Sequence, residues 1–331
     1  VRTTVLCATA VPLDVEAELS SLGISVVEHA LSGRDSAWMR DFVAETMPDV
    51  IVSHSPRETI SLLRWNLGRR TPLVVVAHHG VVSDDPRLRR LKELAFRALN
   101  HRASLHIAVS TTAATGAQCA GARRTELHPL GAELDAESQT ISIWPTATRV
   151  RLMTLSRLIW FKNITALVEA VALTAGSLRA AGAHLAIVGS GPMREEIATA
   201  IARLEIGDLV TMHDYVPHPG GLLAEADALV SCATSEGGPL TVFEASLAGA
   251  RVLSTPTGVA PEVLATDPGS VITSGSAPSD LAEGLTRILE LGALRPEERA
   301  VRAGAAAKWS SENRAPRFYE LVASALPRSE P

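Results

Sequence analysis

The sequence has few of the residues that build disulfide frameworks, nucleic-acid surfaces or membrane spans. Its 331 residues include three cysteines with no Cys-x-x-Cys pair, which argues against a disulfide scaffold or a structural zinc site. Aromatic residues make up 4%, and Lys+Arg 31 against Asp+Glu 36 gives a net charge of -5, so no nucleic-acid partner is expected. No apolar run is long enough to span a bilayer. These absences favour a globular protein of a reducing compartment, and we expect a cytoplasmic one.

The length and the 46% hydrophobic content fit two packed domains. Short β-rich runs alternate with segments of helical period, the pattern of βα units around parallel sheets. The sequence therefore predicts an α/β protein with two doubly wound, Rossmann-like domains. The predicted strands are 5–8, 24–27, 50–53, 73–77, 105–109, 151–155, 184–188, 209–213, 228–232, 251–255 and 270–273.

A polar stretch at residues 133–149 has no clear period and is followed at once by a new β-rich run, which indicates a domain boundary. We place an N-terminal domain at residues 1–148, a second domain at 149–310, and a C-terminal helix and tail at 311–331.

Residues 86–103 have the pattern of a basic amphipathic helix. Such a helix can lie on an anionic membrane. The favoured interpretation is a surface helix whose apolar stripe packs on the sheet while its arginines are solvated.

The segment 231–249 carries the densest chemical signal. A predicted strand leads through Gly237-Gly238-Pro239 into a helix, so the first backbone N–H groups, near Leu240 and Thr241, would face the carboxyl edge of the sheet and favour phosphate there. Glu236 precedes this turn and Glu244 lies further along the helix. Ionised carboxylates accept hydrogen bonds from sugar hydroxyls. The alternative is that Glu236 merely stabilises the helix dipole and Glu244 is a surface residue.

Two cations follow the first strand of the second domain. Arg157 and Lys162 stand five residues apart at a strand-to-helix loop, a spacing that suits the binding of a diphosphate. Loop cations are commonly just solvated. Lys162 is nevertheless one of three lysines, with Lys92 and Lys308, in an arginine-dominated chain.

The second half of the sequence resembles the family 4 glycosyltransferases. The features that carry the resemblance are Arg157 with Lys162, the Gly189-Ser190-Gly191 turn, and the segment from Glu236 through Glu244 to residue 262. The resemblance covers residues 150–325. It implies the GT-B fold, in which two Rossmann-like domains face a central cleft and a C-terminal helix crosses back to the N-terminal domain. It also implies retaining transfer from a nucleotide-diphosphate sugar.

The resemblance also implies roles for individual residues. Glu236 would contact the donor sugar and Glu244 the nucleotide ribose, while Arg157 and Lys162 stabilise the leaving diphosphate. The donor would further be bound by Gly189, Gly237, Gly238, Leu240 and Thr241. The backbone at Val216, in Asp214-Tyr215-Val216-Pro217, would face the base.

The N-terminal domain resembles the family more weakly. His79, next to Gly80, matches the family histidine near the reacting sugar, with His78 as the alternative. The glycine-rich loop that usually follows the first strand is missing, since residues 8–14 contain no glycine.

The sequence thus predicts a glycosyltransferase that acts on a hydroxyl of a small-molecule or glycan acceptor. Because it has no Asp-x-Asp element and its cations can neutralise the diphosphate, we expect no metal and no cofactor. UDP is the favoured nucleotide, followed by GDP and dTDP. The alternatives are a nucleotide-sugar-binding or GT-B-like epimerase protein without transfer, and a transferase that uses a lipid acceptor at the membrane surface.

Overall fold

A computed structural model describes residues 3–7, 11, 13–28, 36–54, 59–60, 62–63, 71–77, 94, 96–134 and 142–327. Over these residues the strands are β1 (Thr4–Cys7), β2 (Ser25–Glu28), β3 (Ile51–Ser53), β4 (Leu73–Ala77), β5 (Leu105–Ala108), β6 (Thr125–Leu127), β7 (Val150–Leu155), β8 (Ala183–Val188), β9 (Val210–His213), β10 (Ala228–Ser231), β11 (Arg251–Ser254) and β12 (Val271–Ile272). The helices are α1 (Leu13–Ser21), α2 (Ser36–Thr46), α3 (Thr111–Cys119), α4 (Ile164–Leu173), α5 (Ala175–Ala181), α6 (Arg194–Arg203), α7 (Gly220–Glu225), α8 (Leu240–Leu247), α9 (Ala260–Leu264), α10 (Pro278–Leu291), α11 (Pro296–Ala306) and α12 (Ser311–Ala323).

The strands form parallel sheets in both halves of the chain. The N-terminal half holds the pair β1-β2 and a four-stranded sheet in the order β3-β4-β5-β6. The C-terminal half holds one six-stranded sheet in the order β12-β11-β10-β7-β8-β9. The order reverses direction on either side of β7, as in a doubly wound sheet, and this confirms the predicted fold class.

The C-terminal sheet has the larger core. All six side chains of β8 are buried, as expected of a central strand covered on both faces. On α4 the buried residues Ile164, Leu167, Val168 and Val171 follow the helical period and pack into the same core. This core fixes the loops that follow β7, β8 and β10.

The C-terminal helix α12 belongs spatially to the first half of the chain. Leu321 is buried against Val74, Leu105 and Ile107 of the four-stranded sheet. Pairing between Ala132 and Ser310 adds a backbone contact at the start of this crossing. The predicted return of the C-terminal helix to the N-terminal domain is confirmed.

Strand β6 was not predicted from the sequence. It has only three residues, Thr-Glu-Leu, which are too few and too polar to show a β period. It forms because residues 125–127 pair with 106–108 of the buried strand β5.

In the described part of the chain no single helix is long and apolar enough to cross a membrane. The bent pair Trp160–Leu173 and Ala175–Ala181 meets the length and composition limits together, with a 72° break between its two parts. Its residues Leu167, Val171 and Leu178 are fully buried in the core around the six-stranded sheet.

Candidate active site

The predicted site residues of the second half follow four neighbouring strands at one edge of the six-stranded sheet. Lys162 follows β7, Gly189 follows β8, Val216 follows β9, and Glu236 follows β10. Because these strands are parallel neighbours, their carboxyl ends meet at the same edge. The sheet therefore brings to one edge residues that are up to 74 positions apart in the sequence.

The loop after β7 is joined to the turn after β8 by backbone hydrogen bonds. The N–H of Leu158 donates to the carbonyl of Ser190 over 2.9 Å, and the N–H of Met193 donates to the carbonyl of Leu158 over 3.0 Å. Gly189 lies at φ +144°, and a Cβ there would be 1.9 Å from the carbonyl oxygen of Ser156. Glycine is therefore required at this position by both the backbone conformation and the close approach.

The other side of the same loop is attached to the segment after β10. The N–H of Thr234 donates to the carbonyl of Phe161 over 2.8 Å. The Cys232 thiol donates to the carbonyl of Lys162 over 3.1 Å. Burial raises the pKa of this thiol to about 12, so it stays protonated and keeps its donor hydrogen. These hydrogen bonds to the carbonyls of Phe161 and Lys162 hold the backbone of Lys162 in place.

The Lys162 ammonium forms an ion pair and hydrogen bond with Oε1 of Glu236. The two side chains are 18% and 12% exposed, so the pair is largely removed from solvent. Both residues were predicted to act on the donor, and the fold brings them into direct contact. Arg157 lies at the start of the same loop with an exposed side chain.

Helix α8 begins directly after the Gly-Gly-Pro turn. No side chain caps its first turn at Pro239, so the N–H groups of Leu240 and Thr241 have no partner within the helix. Such N–H groups, at the positive end of a helix dipole, favour an anion. Gly237 is buried behind this turn, and Gly238 is partly exposed in it.

Glu244 lies further along α8 and is half-buried, directly after the buried residues Val242 and Phe243. Burial raises the pKa of this carboxyl above its ordinary value. A partly buried carboxylate with a raised pKa is typical of a functional site. Burial costs the charged carboxylate its hydration, and a ligand that donates hydrogen bonds to the carboxylate offsets this cost.

Val216 lies close to the glycine turn. The neighbouring N–H of Tyr215 donates to Oγ of Ser190 over 3.3 Å. Val216 packs, partly buried, against the core of the second half, while Tyr215 is exposed. The segment predicted to face the base is therefore next to the glycine turn, which is itself hydrogen-bonded to the loop that carries Arg157 and Lys162.

Two segments singled out in the N-terminal half lie outside the described residues. These are His78, His79 and Gly80, and residues 86–93 and 95 of the segment 86–103. The assignment of His79 stays a prediction. Within the described residues, no group of three or more His, Cys, Asp or Glu side chains is arranged to hold a metal ion.

A residue beside the candidate site that sequence reasoning did not assign is Glu262, in the first turn of α9. Its Oε1 accepts a hydrogen bond from the N–H of Thr111 over 2.7 Å, across 151 residues of sequence. No local pattern in the sequence indicates a contact over this separation. Its place at the end of the segment that resembles the family was the one available signal.

Comparison with known sequences and structures agrees with this architecture. The family described as "Glycosyl transferases group 1" matches residues 144–309, and the "Glycosyl transferase 4-like domain" matches residues 2–132. Comparison with curated protein sequences gives no significant match.

Several solved structures share the fold. The Anabaena protein Alr3699/HepE, solved with UDP and glucose, has a TM-score of 0.77 and 18% identity, covering 97% of this chain and 91% of that chain. A glycosyltransferase from Rickettsia africae has a TM-score of 0.74 and 14% identity, covering 99% and 91%. Sucrose-phosphate synthase from Thermosynechococcus elongatus has a TM-score of 0.73 and 17% identity, covering 96% and 80%. With two matching family domains and this fold, the chain belongs to the group 1 glycosyltransferases, enzymes of family 4 with the GT-B fold.

Proposed function

We propose that this glycosyltransferase moves a sugar from a UDP-sugar to an acceptor hydroxyl with retention of configuration and without a metal ion. The observation that carries the donor assignment is the ion pair of Lys162 and Glu236 beside the uncapped start of α8. One edge of one sheet thus offers a cation and N–H groups for a diphosphate and a carboxylate for sugar hydroxyls.

UDP is the proposed nucleotide because the Anabaena relative is solved with UDP, with UDP and glucose, and with UDP-glucose. GDP and dTDP are the alternatives. The absence of an Asp-x-Asp element supports transfer without a metal ion, since Lys162 and Arg157 can neutralise the diphosphate.

In the proposed reaction the bond between the anomeric carbon and the diphosphate oxygen breaks as the acceptor oxygen bonds to the same face of that carbon. The acceptor proton moves to the departing diphosphate. Lys162, Arg157 and the N–H groups of Leu240 and Thr241 stabilise the charge that develops on the leaving group. Glu236 orients the sugar, Glu244 binds the ribose, and the backbone at Gly189 and Val216 lines the nucleotide side. The acceptor is a hydroxyl on a small molecule or glycan.

The test is turnover of UDP-glucose, measured as release of UDP, in the variants Lys162→Ala and Glu236→Ala. Each should lower kcat by about 10²–10³-fold, because each removes a group that acts on the charge or the sugar at the breaking bond. Lys308→Ala is the matched control, since this lysine is exposed and its ammonium lies over the Trp309 ring. Wild-type rates in both site variants, with unchanged thermal unfolding, would contradict the assignment.

Two further measurements test the finer parts of the proposal. The anomeric proton coupling in the product, read by NMR, must match that of the donor for a retaining enzyme. Turnover must survive EDTA. Tight UDP binding with neither hydrolysis nor transfer, for any of the three nucleotide sugars, would favour a binding protein instead.

A further inference from the structure

Glu262 connects the two halves of the molecule at the edge of the candidate site. It lies in the first turn of α9, which follows the loop that contains Gly258. A Cβ on Gly258, whose φ is +56°, would be 2.7 Å from the carbonyl oxygen of Gly237 and 3.0 Å from that of Glu236. The loop that leads into α9, and so to Glu262, is therefore packed on the backbone of the segment that carries Glu236.

The carboxylate of Glu262 reaches the N-terminal half. Thr111 is the first residue of α3, and its N–H donates to Oε1 of Glu262 over 2.7 Å. The cap residue Ser110 uses its side chain for the N–H of Ala113, so the N–H of Thr111 has no partner within the helix. The anion also complements the positive end of the α3 dipole.

A second contact joins the same two segments. A Cβ on Gly238 would be 3.2 Å from Cγ2 of Val109, which precedes α3 by two residues. The start of α3 therefore lies against the turn that leads into α8. A change in the Glu262–Thr111 contact would change how the N-terminal half meets this turn.

The second carboxylate oxygen, Oε2 of Glu262, is buried and has no hydrogen-bond partner among the described residues. A buried oxygen without a partner is destabilising. Among the described residues, the one hydrogen bond of the Glu262 carboxylate is therefore the bond that Oε1 accepts from Thr111, across the two halves of the chain.

We propose that Glu262 is a positioning residue, which holds the N-terminal half against the donor-binding turn through the N–H of Thr111. The inference rests on the proposed function of that turn. It assigns Glu262 no contact with the reacting atoms.

The contact can be removed from either side. Glu262→Ala deletes the acceptor. Thr111→Pro deletes the donor N–H, together with the threonine side chain, at the first position of a helix, where proline is well tolerated. Ser110 is extended, with φ -153° and ψ 163°, as a residue before proline requires. Glu262→Gln keeps a carbonyl oxygen for the N–H of Thr111. Glu297→Ala is the matched control, because Glu297 is also a first-turn glutamate after a proline but is exposed.

The readouts are the radius of gyration of the ligand-free protein by small-angle X-ray scattering, the kcat of UDP-glucose hydrolysis, and thermal unfolding. Glu262→Ala and Thr111→Pro should each increase the radius and lower kcat about tenfold, because small displacements of catalytic groups are costly. Their unfolding temperatures should stay near that of the wild type. The double variant should be no worse than either single one. Glu262→Gln should restore both values, and Glu297→Ala should change neither.

Unchanged scattering and kcat in Glu262→Ala and Thr111→Pro would overturn the inference. A lowered unfolding temperature with no change in the radius would also overturn it, since the contact would then be structural only. If the wild type turned over no UDP-sugar, the proposed function would fail, whereas the scattering comparison would still decide the positioning of the two halves.

Discussion

Lys162 and Glu236 contact each other directly, although the sequence pattern assigns them to different parts of the donor. The lysine was expected to meet the diphosphate and the glutamate the sugar. The pair is largely shielded from solvent, and under the proposed function donor binding exchanges it for contacts with the donor. In the structure, the two residues neutralise each other's charge.

This exchange predicts that Glu236→Gln binds UDP more tightly than the wild type while it turns over UDP-glucose more slowly. The amide leaves the Lys162 ammonium without a counter-charge, so UDP no longer has to displace an anion. An ion pair worth on the order of 1 kcal/mol corresponds to about a fivefold lower Kd. Isothermal titration with UDP measures it.

Asp208→Asn serves as the control for charge removal, since it breaks the exposed Arg179–Asp208 pair on the outside of the domain. Its Kd for UDP should equal that of the wild type. An unchanged or higher Kd for UDP in Glu236→Gln would mean that Lys162 does not bind the diphosphate.

At the scale of elements, the site is built from loops that hold each other in place. The loop after β7 lies between the turn after β8 and the segment after β10, as the strand order requires. The bounds of β4, residues 73–77, were predicted from the sequence because its residues form a clear apolar run. The glycine turn after β8 was too short to interpret by itself, and its tight packing on Ser156 depends on strand pairing.

Gly189→Ala should therefore disturb the loop of Arg157 and Lys162 from a distance. The new Cβ has no room beside the carbonyl of Ser156, and the backbone conformation disfavours any side chain. We expect a loss of unfolding free energy of about 2–4 kcal/mol together with weaker UDP binding. Urea unfolding and titration with UDP measure the two effects.

Gly176→Ala is the matched control, since a Cβ there meets no atom within 4 Å and the residue lies in helix α5. It should be neutral or slightly stabilising. Equal stability of the two alanine variants would contradict the steric argument.

For the whole molecule, buried histidines set the response to acid. Burial lowers the pKa of His106 to about 4, and its Nε2 is 2.6 Å from Oδ1 of the buried Asn100. Burial, assisted by the nearby Arg314, also lowers the pKa of His128 to about 4, at the junction of α12 with the N-terminal half. Both histidines are therefore neutral in the folded protein at pH values where the unfolded chain already binds their protons.

The free energy of unfolding should thus fall as the pH is lowered from about 6.5 to about 4, since the unfolded state binds more protons throughout that window. Glu244 acts in the opposite direction, because its pKa is raised in the folded state. Urea unfolding at pH 7 and pH 5 measures the change. His106→Gln keeps a partner for Asn100 but cannot titrate, so its stability should fall less over this interval. An equal fall in the variant would contradict the assignment to His106.

The sequence by itself determined the α/β class, nearly all of the described strands, and the candidates Arg157, Lys162, Glu236 and Glu244. The strands could be predicted because hydrophobic period and turn chemistry are properties of neighbouring residues. The candidates could be predicted to lie together because parallel strands bring their carboxyl ends to one edge of the sheet. Only the tertiary structure decided that Lys162 pairs with Glu236, 74 residues away, and that Glu262 reaches Thr111, 151 residues away. Strand β6 likewise exists because β5 offers it an open edge. These contacts depend on how whole sheets and helices pack against each other, and local periodicity does not determine that packing.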